Sequence, residues 1–295
     1  MSSPLDPARL LAWFDKAERP LPWRRPGTSA WGVLVSEVMS QQTPVARVAP
    51  QWEDWMRRWP TPKDLAAASQ AEVLRAWGKL GYPRRALRLK ECAAEIAAHH
   101  GNVVPDDVDT LLSLPGIGEY TARAVACFHY GQNVPVIDTN VRRVYARAVD
   151  GRFLPPQASK RELGLLAAHL PSGALTGPRF STALMELGAL VCTAKNPACG
   201  ECPLLATCAW QRAGCPQPSD EELRKAKKRV QKFAGTDRQV RGLIMDVLRA
   251  ADKPVDKSAI DIVWPDAAQR ERALASLLED GLADFDDAGR FHLPH

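Results

Sequence analysis

Leu114-Pro115-Gly116-Ile117-Gly118 stands between two stretches of helical periodicity, one carrying Leu111 and Leu112 and the other beginning near Thr121. Twenty residues after Gly118 comes Asp138, within Val136-Ile137-Asp138-Thr139-Asn140. Two glycines in so short a turn let the backbone approach another molecule closely and leave N–H groups bare at the start of the next helix, which makes a ready seat for a phosphate. By itself the turn is a moderate signal, with a plain interhelix connection as the alternative, but followed by Asp138 it is far more specific. Asp138 precedes a helix with the apolar face Val141, Val144, Tyr145 and Ala148, where an N-cap is worth about 1 kcal/mol. The same helix N-terminus favours the ionised carboxylate, and an ionised carboxylate can stabilise a cation that develops as a bond breaks.

Working outward, the chain reads as helix after helix to about residue 213, with apolar residues three and four apart and no convincing strand run. Pro7 after Asp6, the Ser69-x-x-Glu72 box and Gly101 after the segment Arg84 to His100 mark helix ends. Trp13, Trp52, Trp55 and Trp59 lie at helical spacing and read as core. Cys215-Pro216-Gln217-Pro218 and then Arg224-Lys225-Ala226-Lys227-Lys228-Arg229 read as a basic linker over residues 214–235. Beyond it three helical patterns and an alternating terminal hairpin resemble a winged-helix domain, residues 236–295. That tail carries 8 Lys/Arg against 12 Asp/Glu, leaving 31 against 22 in residues 1–235. The basic body suits a polyanionic partner, whereas the acidic tail suits packing or protein docking better than a DNA groove. No apolar run approaches the roughly 20 residues of a membrane span, and Asp6, Asp15 and Glu18 break any secretory core. A cytoplasmic protein, nucleoid-associated in a bacterium, is expected.

Four of the seven cysteines form Cys192-x6-Cys199-x2-Cys202-x5-Cys208. An odd total without a signal peptide argues against a disulfide framework, and tight clustering argues for metal. Zinc usually pairs two short hooks across a longer spacer, whereas one run with unequal gaps wraps its ligands around a single object. Cys92, Cys127 and Cys215 read as core or incidental thiols.

This cysteine spacing resembles the four-iron four-sulfur loop of the endonuclease III superfamily. Further matches are Leu21-Pro22-Trp23-Arg24, Ser36-Glu37-Val38-Met39-Ser40-Gln41-Gln42-Thr43, Trp77-Gly78-Lys79-Leu80-Gly81-Tyr82, Tyr120, and Met185-Glu186-Leu187-Gly188. Over roughly residues 10–212 the chain resembles the adenine DNA glycosylase (MutY) family of that superfamily. The resemblance implies a mainly α fold with a helix-hairpin-helix. Residues 28–133 would form a six-helix barrel domain, and residues 1–27 with 134–213 an iron-sulfur cluster domain. One 4Fe-4S cluster would sit on Cys192, Cys199, Cys202 and Cys208, with Lys195 a candidate phosphate contact. Glu37 would protonate N7 of adenine, and Asp138 would stabilise the sugar cation, with Tyr120 and Asn140 as positioning groups. Arg24, Gln41, Gln42, Thr43, Tyr82, Leu114, Gly116 and Gly118 would meet double-stranded DNA carrying A opposite 8-oxoguanine or G.

Endonuclease III members carry a nucleophilic lysine where this chain has Tyr120, so the resemblance implies a monofunctional enzyme that leaves an abasic site. Ser40, Pro83 and Thr139 depart from the family pattern, and the tail is too short and too helical for the Nudix-like domain that many members use on 8-oxoguanine. Two alternatives stand beside this reading. Thymine or uracil mismatch glycosylases share the fold and the tyrosine, and an iron-sulfur redox-sensing regulator would use the cysteines and the tail but not the carboxylates. A monomer is expected, with a protein partner for the tail as an open possibility.

Overall fold

The structure is a computed structural model that describes residues 3–172, 176–227 and 233–295. In chain order the helices are α1 (Pro7–Ala17), α2 (Ala30–Ser40), α3 (Val45–Arg58), α4 (Pro62–Ala67), α5 (Gln70–Trp77), α6 (Arg84–His99), α7 (Val108–Ser113) and α8 (Glu119–Phe128). They continue as α9 (Thr139–Ala148), α10 (Arg161–Ala167), α11 (Thr176–Leu190), α12 (Ala209–Arg212), α13 (Asp220–Lys227), α14 (Asp237–Ala250), α15 (Lys257–Asp261) and α16 (Ala267–Glu279). Strands β1 (Asp284–Phe285) and β2 (Phe291–His292) close the chain. Among the described residues no helix is long and apolar enough to cross a membrane.

Local chemistry sets the helix ends. The Asp6 carboxylate accepts from the N–H groups of Ala8 and Arg9, and Pro7 opens α1 where no N–H is needed. Ser69 and Glu72 satisfy each other's backbone donors ahead of α5. The stretch expected as a linker contains α13, because Ser219 and Glu222 repeat that capping box. Of the linker's basic residues, Lys228 and Arg229 lie outside the described residues.

The chain divides into two compact units. The first comprises Met1–Val33, Asp106–Leu112 and Gly118–Val230. Here α11 packs between α1 and α9, burying Leu10, Phe14, Val144, Phe180, Leu184 and Leu187. Trp210 of α12 closes the same core. Each such side chain contributes about 2 kcal/mol of hydrophobic stabilisation.

The second unit comprises Leu34–Pro105, Ser113–Ile117 and Gln231–His295. Trp55 and Trp77 are fully buried and meet edge to face at 5.5 Å, and the Trp55 indole donates to the carbonyl of Ala76. Trp52 is buried too and Trp59 is half-buried, as is Trp13 of the first unit. The terminal segment belongs to this unit. Its helix α14 packs on α16 and α5, and the antiparallel β1–β2 hairpin is extended by a bridge from Val255 to Phe291.

Candidate active site and cluster loop

The two hairpin glycines do different work. Gly116 has φ +75°, and a Cβ there would stand 2.9 Å from Cβ of Arg88, so the position admits glycine alone. Gly118 caps α8 with ordinary backbone, and a Cβ on it would meet nothing within 4 Å. Gly118 is exposed and makes no side-chain cap to α8. Leu114 anchors the turn by burial.

In the first unit Asp138 caps α9, accepting from the Val141 N–H at 2.7 Å and from the Asn140 amide at 2.7 Å. Asn140 in turn accepts from Arg143, which donates to the carbonyls of Cys192 at 2.7 Å and Gly188 at 2.5 Å. A hydrogen-bonded chain therefore runs from Asp138 to the first cysteine of the metal motif. Gly188 makes it possible, since a Cβ there would fall 2.6 Å from Cβ of Asn140. Burial raises the Asp138 carboxyl above the usual carboxylate range, although bonds from Val141 and Asn140 and the charge of Arg143 pull the other way. The helix N-terminus thus favours the ionised form as expected, but desolvation outweighs it. Tyr120 is half-buried and packs against Ala124, Cys127 and Val136.

Arg24, expected at the DNA, pairs with a buried acid in this structure. Its guanidinium donates to Glu186 at 3.1 Å, as does that of Arg19 at 2.8 Å, and the Glu186 side chain is 1% exposed. Burial would raise Glu186, but hydrogen bonds from Arg19 and Arg24 overcome it and bring the carboxyl down to about 2. An arginine beside a buried carboxylate goes to that carboxylate, because an unpaired buried charge is the costlier state.

In the second unit two polar side chains of α2 are buried, Ser36 at 0% and Glu37 at 8% exposure. Gln41, Gln42 and Thr43 follow as a turn in which Gln42 takes φ +55°. Tyr82 takes φ +48° in the next loop. Left-handed backbone is unfavourable for both residue types and survives only where neighbours over-determine it. That neighbour is Arg85, which sequence reasoning missed. Its guanidinium donates to the carbonyls of Val38 (2.8 Å), Gln41 (2.6 Å) and Gly81 (3.0 Å) and to Oγ1 of Thr43 (3.2 Å), and it lies over the rings of Trp77 and Tyr82. The Thr43 hydroxyl closes the arrangement by donating to the Leu80 carbonyl at 3.0 Å. Burial pushes Arg85 down to about 10, so it remains a cation at neutral pH. The Tyr82 ring is 43% exposed at the tip of this construction.

Cys192, Cys199, Cys202 and Cys208 line one pocket with Val191, Leu205 and Trp210. Burial pushes the Cys202 thiol up to about 12 and raises that of Cys208, with the neighbouring thiols adding to the shift. Cys202 and Cys208 resist ionisation by themselves, and a cationic centre would hold them as thiolates. Arg147 is 1% exposed, donates to the carbonyls of Thr193 (2.7 Å) and Ala194 (3.1 Å), and approaches Sγ of Cys192 at 3.4 Å. A buried guanidinium suits an anionic tetrathiolate cluster, so the donor set and its surroundings fit the iron-sulfur group. Cys92 and Cys127 are fully buried in the core.

Comparison with known proteins bears on the same residues. Residues 35–163 match the family model of the HhH-GPD superfamily base excision DNA repair proteins, and residues 192–208 match the iron-sulfur binding domain of endonuclease III. The adenine DNA glycosylase of Mycolicibacterium smegmatis is 60% identical over 98% of this chain and 96% of its own length. The human adenine DNA glycosylase is 43% identical over 68% of this chain and 38% of its own. A thermostable thymine-DNA glycosylase shares the fold, with a TM-score of 0.64 at 24% identity over 70% of this chain and 95% of that one. Endonuclease III bound to DNA gives a TM-score of 0.61 at 24% identity, over 72% of this chain and 99% of that one. The helix-hairpin-helix fold, the iron-sulfur loop and near full-length identity together establish that this chain belongs to the adenine DNA glycosylase family of the base excision repair superfamily.

Proposed function

We propose that this protein hydrolyses the N-glycosidic bond of adenine mispaired with 8-oxoguanine or guanine in double-stranded DNA, leaving an abasic site. The observation that carries the reading is the 60% identity to an adenine DNA glycosylase along nearly the whole chain. The target nucleotide leaves the helix at an unstacking cost of a few kcal/mol, which a mispair reduces. Glu37, buried on α2, protonates N7 of the adenine and makes it a better leaving group. As the bond breaks, the ionised Asp138 stabilises the positive charge on the sugar, and water completes hydrolysis. Asn140 holds Asp138 through its 2.7 Å bond, and Tyr120 lines the site. Tyr120 supplies no amine for a Schiff base, so strand cleavage is not part of the reaction. Cys192, Cys199, Cys202 and Cys208 would hold a 4Fe-4S cluster, which would shape the loop that carries Lys195, a candidate phosphate contact. Gly116 and Gly118 offer backbone to a phosphate, while Gln41, Gln42, Thr43 and Tyr82 meet the base opposite the adenine. Three helices and a hairpin support a winged-helix-like reading of residues 236–295.

The test is single-turnover base release from matched duplexes carrying A opposite 8-oxoguanine, A opposite G, T opposite G and U opposite G. Adenine release fastest opposite 8-oxoguanine, with no nick before alkali, is expected. Release of T or U in its place would overturn the adenine assignment.

A further inference from the structure

The terminal segment of the second unit grips the loop that carries Tyr82. Arg238, on the first turn of α14, donates from Nη1 to the Tyr82 hydroxyl at 2.9 Å, and its guanidinium stands 5.9 Å from the centroid of the same ring. Arg85 stands 5.6 Å from that centroid. The ring is thus held by two guanidiniums and its hydroxyl by one of them. Two further pairs join the segment to this loop, Lys79 to Asp246 at 3.6 Å and Arg84 to Asp280 at 3.0 Å. Beneath the loop, Arg249 donates to the carbonyl of Leu74 and Arg75 to that of Ala251.

We propose that residues 236–295 act as a positioning domain for Tyr82, with Arg238 as the residue that sets the ring before DNA arrives. This rests on the reading that Tyr82 meets the base opposite the adenine. Three physical points support it. Tyr82 sits in left-handed backbone and is 43% exposed, and holding a group in its working geometry in advance removes an ordering cost from the binding step. The hydroxyl bond is charge-assisted and therefore stronger than a neutral one. The stacking cation is also placed where a polyanion arrives, so Arg238 adds favourable charge beside the inserted ring. Asp246 and Asp280 do not oppose this, because they are paired with Lys79, Arg84 and Arg241.

A double-mutant cycle tests the assignment, using Arg238→Ala, Tyr82→Phe and the pair, with Arg84→Ala as a control that breaks another contact between the same segment and loop. The first readout is the affinity for a fluorescein-labelled duplex carrying a tetrahydrofuran abasic analogue opposite 8-oxoguanine or opposite guanine. The second is single-turnover adenine release from A opposite 8-oxoguanine and A opposite G. Loss of one charge-assisted bond predicts that Arg238→Ala and Tyr82→Phe each weaken abasic-duplex binding about tenfold and narrow the difference between the two opposite bases. The double variant should be no weaker than Arg238→Ala, and Arg84→Ala should change affinity less than about threefold. Effects that multiply in the double variant, an Arg238→Ala affinity within twofold of wild type, or an equal loss in Arg84→Ala would each overturn the proposal. If wild type released no adenine while the cycle still coupled, the positioning role would stand and the adenine assignment would fall. Normal adenine release with independent effects would mean the reverse.

Discussion

Two carboxylates of the first unit, the buried Glu186 and the half-buried Asp138, have opposite electrostatics. Glu186 lies between Arg19 and Arg24 and is brought down to about 2, whereas Asp138 is held by an amide, a backbone N–H and a more distant Arg143, and its carboxyl is raised. Desolvation acts on both, and only the neutralising partners differ. A carboxylate matched by two guanidiniums has nothing left to offer a developing cation, so it serves the fold. A carboxylate held by dipoles retains its charge for the substrate. Burial by itself therefore does not mark the catalytic group; the identity of its partners does.

The comparison can be broken in several places. The largest effect is expected from Asp138→Asn, which should lower single-turnover adenine release by about 10³-fold while leaving thermal unfolding nearly unchanged. Glu186→Ala should act the other way round: it leaves two guanidiniums facing a void and should destabilise the protein by about 3 kcal/mol in urea unfolding, less than a fully buried pair because Arg19 and Arg24 keep some solvent contact. Gly188→Ala forces α11 against Asn140 and should cost about 2 kcal/mol of stability while also slowing adenine release, because the Asp138 to Cys192 chain shifts with it.

Two smaller effects concern pH. Because Glu186 falls from 4.5 to about 2 on folding, its stabilising contribution is complete above pH 4.5 and fades as pH drops through about 2. Unfolding followed across that window should show the loss in wild type and a flatter profile in Glu186→Gln. Asp138 has the opposite sign, so the acid limb of adenine release should lie above the usual carboxylate range. Asn140→Ala removes a bond to the charged form and should move that limb higher still; a limb that moved lower would contradict the assigned cause.

Much of this was legible because the chemistry is local. Four thiols within seventeen residues, a capping box at Ser69 and Glu72, and a cap at Asp138 all act over a few positions, so spacing alone exposes them. Arg85, Arg238 and Glu186 were not legible as partners, because their bonds reach 44, 156 and 167 residues along the chain. Arg24 illustrates the limit well. An arginine after Leu-Pro-Trp can serve a phosphate or a buried acid, and nothing near it in sequence shows that Glu186 is there. Gly188 was visible as part of a family match, yet its reason, the approach of α11 to Asn140, belongs to the packing.

The most direct measurement is single-turnover adenine release from A opposite 8-oxoguanine by Asp138→Asn and Glu186→Gln, each paired with a thermal unfolding curve. The account predicts a folded but inactive Asp138→Asn and a destabilised Glu186→Gln that still releases adenine when kept below its unfolding temperature. Normal release by a folded Asp138→Asn, or complete inactivity of a fully folded Glu186→Gln, would contradict it.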